Sequence, residues 1–90
     1  MAGYRLLIKP SAAKEVEVIG TKGDRQRVVN RITALAAEPR PPGCEKLTGP
    51  SALFRIRQSS YRIIYTIDEP TRTIVVIKVG HRREVHRSQS

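Results

Sequence analysis

The chain has one cysteine in 90 residues, Cys44, so no disulfide can form within it, and a lone thiol suits a reducing compartment. Long apolar runs are missing as well. No segment approaches the roughly 18 apolar residues that a membrane-crossing helix needs, so no membrane association is expected. The N-terminus lacks the basic-then-apolar pattern of a secretory signal, which predicts the cytoplasm. There are two histidines, His81 and His86, and with one distant cysteine they make no ligand set of recognisable spacing. Neither a metal nor any other cofactor is expected. A P-loop, a dinucleotide fingerprint and a Ser-His-Asp signature are absent too.

Acidic residues are few. Eight Asp and Glu stand against 17 Lys and Arg, a net charge of +9. The excess is spread along the chain: residues 1–40 carry eight basic and four acidic residues, residues 41–90 nine and four. With no basic tail to detach, the folded body itself is cationic. A polyanionic partner follows, either nucleic acid or an acidic protein. Ninety residues make a single domain, 1–90, whose thin core buries roughly 60–65% of the surface an unfolded chain exposes.

Periodicity orders the elements. Tyr4 to Lys9 alternates as a half-buried strand does. Pro10-Ser11 opens a helix, with serine as the expected cap, Ala12, Val16 and Ile19 on its apolar face and Gly20 at its end. Asp24 is the expected cap of a second helix, in which Val28, Ile32 and Leu35, with Val29 and Ala36, form the apolar stripe. Arg27 and Arg31 lie on its other face, either simply solvated or contacting RNA. Pro39 stops this helix, and PRPPG (39–43) is a stiff loop. LTGPS reads as a turn. Alternating strands follow at about 53–58 and 61–67, then a turn around Asp68-Glu69-Pro70-Thr71. Thr73 to Val79 is apolar on both faces, as a central strand should be, and Gly80 is expected to break it. The predicted fold is α+β: an N-terminal strand, a helical hairpin, then a three-stranded antiparallel meander. These form one mostly antiparallel, four-stranded sheet with both helices on one face.

The stretch FRIRQSSYRIIY (54–65) sets basic residues where a strand gains nothing from them. If Ser59-Ser60 is a two-residue hairpin loop, opposed residues sum to 119. Phe54 then faces Tyr65 and Ile56 faces Ile63 on the core side, which also places Tyr61 with the core. On the other side Arg55 faces Ile64 and Arg57 faces Arg62, so three arginines project together. An Arg-Arg pair across an antiparallel ladder is destabilising, by roughly 1 kcal/mol at about 5 Å even in water. One reading is a solvated face whose arginine stems cover apolar surface. The other is a phosphate clamp, because guanidinium forks match phosphate oxygens and stay charged at any working pH. A longer loop would shift the register and dissolve the cluster. In the tail, GHRREVHR, Arg82 and His86 are four apart, on one side of a helical turn. Histidine is the side chain best poised to move protons near neutral pH. An inert exposed histidine is the plainer reading, more so for His81.

The stretch KLTGPSALFRIRQSSYRIIYTID and the closing TIVVIKVGHRREVHR resemble the RelE family, within the RelE/ParE superfamily of bacterial toxins. The resemblance spans nearly the whole chain, and YRIIY and GHRREV are its most specific parts. It implies a toxin of a type II toxin–antitoxin system that enters the ribosomal A site and cuts mRNA without a metal. The ribose 2′-hydroxyl attacks the adjacent phosphate, leaving a 2′,3′-cyclic phosphate and a 5′-hydroxyl. Family basic residues fall at Arg55, Arg57 and Arg62, and the arginine after the last strand falls at Arg82. Where RelE carries a tyrosine this chain has His86, in a tail two residues shorter, so His86 replaces it in catalysis or the activity is altered. The implied roles are Arg55 and Arg57 as phosphate clamps, Arg62 on the transition-state charge, Arg82 on the phosphate or leaving side, and His86 as acid or base. Arg27, Arg31, Arg83 and Arg87 are the candidates for contacts with RNA and the ribosome. The implied partners are the ribosome, its mRNA and a cognate antitoxin, with operator DNA bound only by the toxin–antitoxin complex. Two alternatives share the resemblance: a ParE-type toxin that inhibits gyrase, and an inactive homologue that only binds antitoxin.

Overall fold

The computed structural model describes residues 3–47 and 53–81. Alternation near the N-terminus becomes strand β1 (Arg5–Ile8), and Lys9 leaves it in an extended conformation as the N-cap of α1 (Pro10–Glu17). Pro10 takes the first helical turn, where its missing N–H would have had no partner anyway. Serine was expected to cap this helix, but Ser11 lies inside it, one residue too late. The helix also ends three residues before Gly20. Val18 is its C-cap, and the chain turns there to bury Ile19, whose carbonyl accepts a hydrogen bond from Arg25 Nη1 at 3.1 Å.

Helix α2 (Lys22–Leu35) is capped by Thr21, whose hydroxyl accepts the Asp24 N–H at 3.3 Å. Asp24 sits in the first turn rather than at the cap, where its charge still favours the positive end of the helix dipole. Val28, Ile32 and Leu35 are buried as the stripe requires, but Val29, expected in the same stripe, is exposed. The loop that follows leads to β2 (Glu45–Lys46), β3 (Leu53–Gln58), β4 (Tyr61–Asp68) and β5 (Thr73–His81). The expected LTGPS turn lies, from Thr48 onward, outside the described residues.

The α+β class is as expected, but the sheet has five strands rather than four, in the order β1-β5-β4-β3-β2. The additional strand is the two-residue β2, which pairs antiparallel with β3 at the sheet edge. The sheet is mixed, because β1 runs parallel to β5 while the other pairs are antiparallel. Parallel neighbours need a long crossover, and the chain between them supplies it. Strand β5 is interior, flanked by β1 and β4, and β4 is the middle strand. Gly80 does not break it: it is buried within the strand and pairs with Arg62. Across the ladder it sets no side chain beside that arginine.

Both helices pack on one face. Ala12, Ile19, Val28, Ile32 and Leu35 meet Phe54, Ile56, Ile63, Tyr65, Ile74 and Val76 in one core. Two polar devices hold the frame. Strand β1 pairs only as far as Ile8 with Val76, so the next stretch of β5 lacks that neighbour. Glu15 of α1 replaces it: Oε1 accepts the Val79 N–H at 2.8 Å and Oε2 accepts from Lys78 Nζ at 3.0 Å. The second device is Tyr65, fully buried, whose hydroxyl donates to the Pro39 carbonyl at 2.7 Å and lies 3.2 Å from Cys44 Sγ. Burial, with the thiol contact, raises its pKa well above the ordinary phenol value. That phenol latches the proline-rich loop to the sheet.

Candidate functional site

The hairpin register is the one that a two-residue loop dictates. Phe54 pairs with Tyr65, Arg55 with Ile64, Ile56 with Ile63 and Arg57 with Arg62. Ser59 takes the positive φ of 58° that closes so short a loop. Side chains alternate across a strand, so Arg55, Arg57 and Arg62 share the sheet face opposite the helices. Arg57 is exposed, while Arg55 and Arg62 are half-buried. Tyr61 lies against the core, in edge contact with His81, the ring centroids 5.4 Å apart.

Sequence reasoning missed Glu45. Strand β2 pairs it directly with Arg55, and its Oε1 accepts hydrogen bonds from Arg55 Nε, at 3.1 Å, and from Nη2. The Arg55 guanidinium holds the Glu45 carboxyl below its usual pKa, first by that hydrogen bond and then by its charge; Arg57 and Arg62 add to the effect. All three guanidinium groups therefore act on one carboxylate. Both bonds fall on Oε1, and Oε2 has no hydrogen-bond donor among the described residues. No periodic signal could have revealed this, because a two-residue strand shows no alternation. The only sequence-level hint is an acidic residue ten positions before Arg55.

The structure thus gathers Arg55, Arg57 and Arg62, with Glu45, on one open face. Arg82, Arg83, His86 and Arg87 lie outside the described residues. Arg27 and Arg31 are elsewhere, on α2. Arg27 is tied to Asp24 at 3.1 Å, and Arg31 lies near Gln58 at the end of β3. Chemically, the open face can hold an anion in a fork of donors, with an ionised carboxylate beside it to accept a proton.

In sequence and in fold this chain is similar to known toxins. The family model for the ParE toxin of type II toxin–antitoxin systems, parDE, matches residues 6–86. Toxin RelG of Mycobacterium tuberculosis is 38% identical over 34 residues, which span 38% of this chain and 39% of that toxin. The archaeal RelE–RelB complex from Pyrococcus horikoshii contains a chain 26% identical, with a TM-score of 0.75, over 91% of this chain and 97% of that one. The isolated E. coli RelE toxin is 27% identical, with a TM-score of 0.74, over 96% and 94% of the two chains. The chain is thus a toxin of a type II toxin–antitoxin system. This chain belongs to the ParE toxin family, within the RelE/ParE superfamily.

Proposed function

We propose that this toxin is a ribosome-dependent endoribonuclease that cuts mRNA in the ribosomal A site, without a metal, through attack by the ribose 2′-hydroxyl. The observation that carries the reading is the arginine trio around Glu45. A toxin that only inhibits gyrase by binding needs no converging guanidinium groups, and an Arg57–Arg62 pair costs stability unless a ligand's negative charge is to be held there. Arg55 and Arg57 clamp the scissile phosphate, and Arg62 meets the charge that grows on it in the transition state. Arginine cannot serve as a base, since it does not deprotonate. Glu45 can: its lowered pKa keeps it ionised at neutral pH, and Oε2 is available to take the 2′-hydroxyl proton. A phosphate among the arginines offsets their charge and returns the carboxylate toward its ordinary basicity. Arg82 holds the leaving side, and His86 delivers the proton to the departing 5′-oxygen. Arg27, Arg31, Arg83 and Arg87 contact RNA on the ribosome.

The protein works in the cytoplasm. Its partner is an acidic antitoxin encoded beside it, partly disordered until bound, as RelB is the partner in the archaeal complex. Operator DNA is bound by the pair and not by the toxin alone.

The experiment incubates the protein with translating ribosomes and maps mRNA ends, with a gyrase supercoiling assay alongside. Codon-registered cuts that vanish in Arg62→Ala are the expected result. Gyrase inhibition with intact mRNA would make it a ParE-type inhibitor. Silence in both would leave an inactive homologue that only binds antitoxin.

A further inference from the structure

At the hairpin end of β3, Arg57 and Gln58 are consecutive and point to opposite faces of the sheet. Gln58 faces the helices, where it lines an open cavity of about 270 Å³ together with Arg27, Asn30, Arg31 and Ala34 of α2. Polarity there is one-sided. Asn30 uses its Oδ1 to accept from Gln26 Nε2 at 3.0 Å, which leaves its amide N–H groups for the cavity. Arg31 Nε is buried and has no hydrogen-bond partner among the described residues, nor has Arg31 a carboxylate within salt-bridge distance among them. Arg27 is held to Asp24 through Nη1 and keeps its remaining N–H groups. Donor groups of Arg27, Asn30 and Arg31 therefore line this space beside Gln58, whose Nε2 donates to Ser59 Oγ at 3.5 Å, and none of the side chains lining it is a carboxylate.

Arg31 is part-buried on this wall, and an anion that reaches its terminal N–H groups from the cavity gains charge-assisted hydrogen bonds. We propose that Asn30, Arg31 and Gln58 form a second phosphate subsite, which takes a backbone phosphodiester of the nucleic-acid strand lying across Arg57. The inference rests on the RNA-binding reading of the open face and extends it round the hairpin end. Outward of Ile56 to Gln58 no described strand pairs with β3. The role of this subsite is grip, not chemistry: it holds the strand a short distance from the bond to be cut and carries no base specificity.

The test is fluorescence anisotropy with the full chain and a short 2′-O-methyl RNA, which cannot be cut through its 2′ position, titrated over a range of salt. Arg31→Gln should weaken binding about tenfold and reduce the salt slope by about 0.7, one phosphate contact on a single strand. Asn30→Asp, which leaves Arg31 in place and adds a negative charge to the cavity, should weaken binding by a similar factor. A single-stranded DNA of the same sequence should lose as much as the RNA, because phosphate alone is read. A folded Arg31→Gln protein with parental affinity and slope overturns the proposal, and so does a loss confined to RNA, which would mean sugar recognition. If Arg31→Gln does not fold, parental binding by Asn30→Asp overturns it instead. These readings do not depend on cleavage, so failure of the nuclease activity on ribosomes would be seen separately.

Discussion

Replacing Arg57 by glutamine should stabilise the fold while disabling the toxin. Arg57 and Arg62 are direct partners across the β3–β4 ladder. If the two charges sat at the cross-strand spacing of about 5 Å, their repulsion would be about 0.8 kcal/mol even in water. Glu45 beside them offsets part of that, since its carboxyl responds to both charges. The net gain on removing one charge is then about 0.5 kcal/mol, or roughly 2–4 °C in melting temperature for a chain of this length. Arg57 is exposed, so its stem contributes little packing that the mutation would forfeit. Thermal melts of parent and variant at low salt should show the rise, and the difference should shrink at about 1 M salt, where the screening length is about 3 Å. Cleavage on programmed ribosomes should meanwhile fall by roughly a hundredfold, the usual loss when one charge-stabilising donor is removed. A variant that melts no higher than the parent at low salt, or whose gain persists unscreened, would refute the idea that this pair is strained in the free protein.

Other consequences follow from the frame. Glu15→Ala leaves the Val79 N–H unpaired and frees Lys78, and should cost about 2–3 kcal/mol in urea unfolding, against about 1 kcal/mol for Glu15→Gln, which keeps an acceptor. Tyr65→Phe should cost about 1–2 kcal/mol, and because the phenol also contacts Cys44, maleimide should label that thiol faster in the variant. The carboxyls of Glu45 and Glu69 both titrate below their ordinary range, held down first by hydrogen bonds from Arg55 and from Tyr4, respectively. Their stabilisation is complete above the unfolded carboxylate range and is lost as pH falls through the lowered folded values. Glu45→Gln and Glu69→Gln should each flatten the decline in stability below about pH 5, as urea midpoints measured across that range would show.

How much of this was legible beforehand depends on the kind of signal. The β3–β4 register could be read because a two-residue loop leaves no freedom: opposed numbers must sum to 119, and alternation then fixes the faces. The helical stripe of Val28, Ile32 and Leu35 was equally plain, because burial imposes its own period. Single-residue features were not. Thr21 and Asp24 are both good caps, and their choice depends on where the chain leaves the preceding turn. Gly80 looked like a terminator, yet in a buried strand opposite Arg62 it fits because it has no side chain. Strand β2 was invisible at two residues, and with it went Glu45, the carboxylate on which the proposed chemistry turns. The parallel pairing of β1 with β5 is a long-range contact that no local pattern encodes.

The most direct measurement uses programmed ribosomes carrying an mRNA with a 2′-deoxynucleotide immediately 5′ of the scissile phosphate, compared with the all-ribose message under single-turnover conditions. If the arginine face holds that phosphate for attack by the neighbouring hydroxyl, the ribose message is cut to a 2′,3′-cyclic phosphate and the substituted one survives. Equal cutting of the two, or a product ending in a 3′-hydroxyl, would contradict the account.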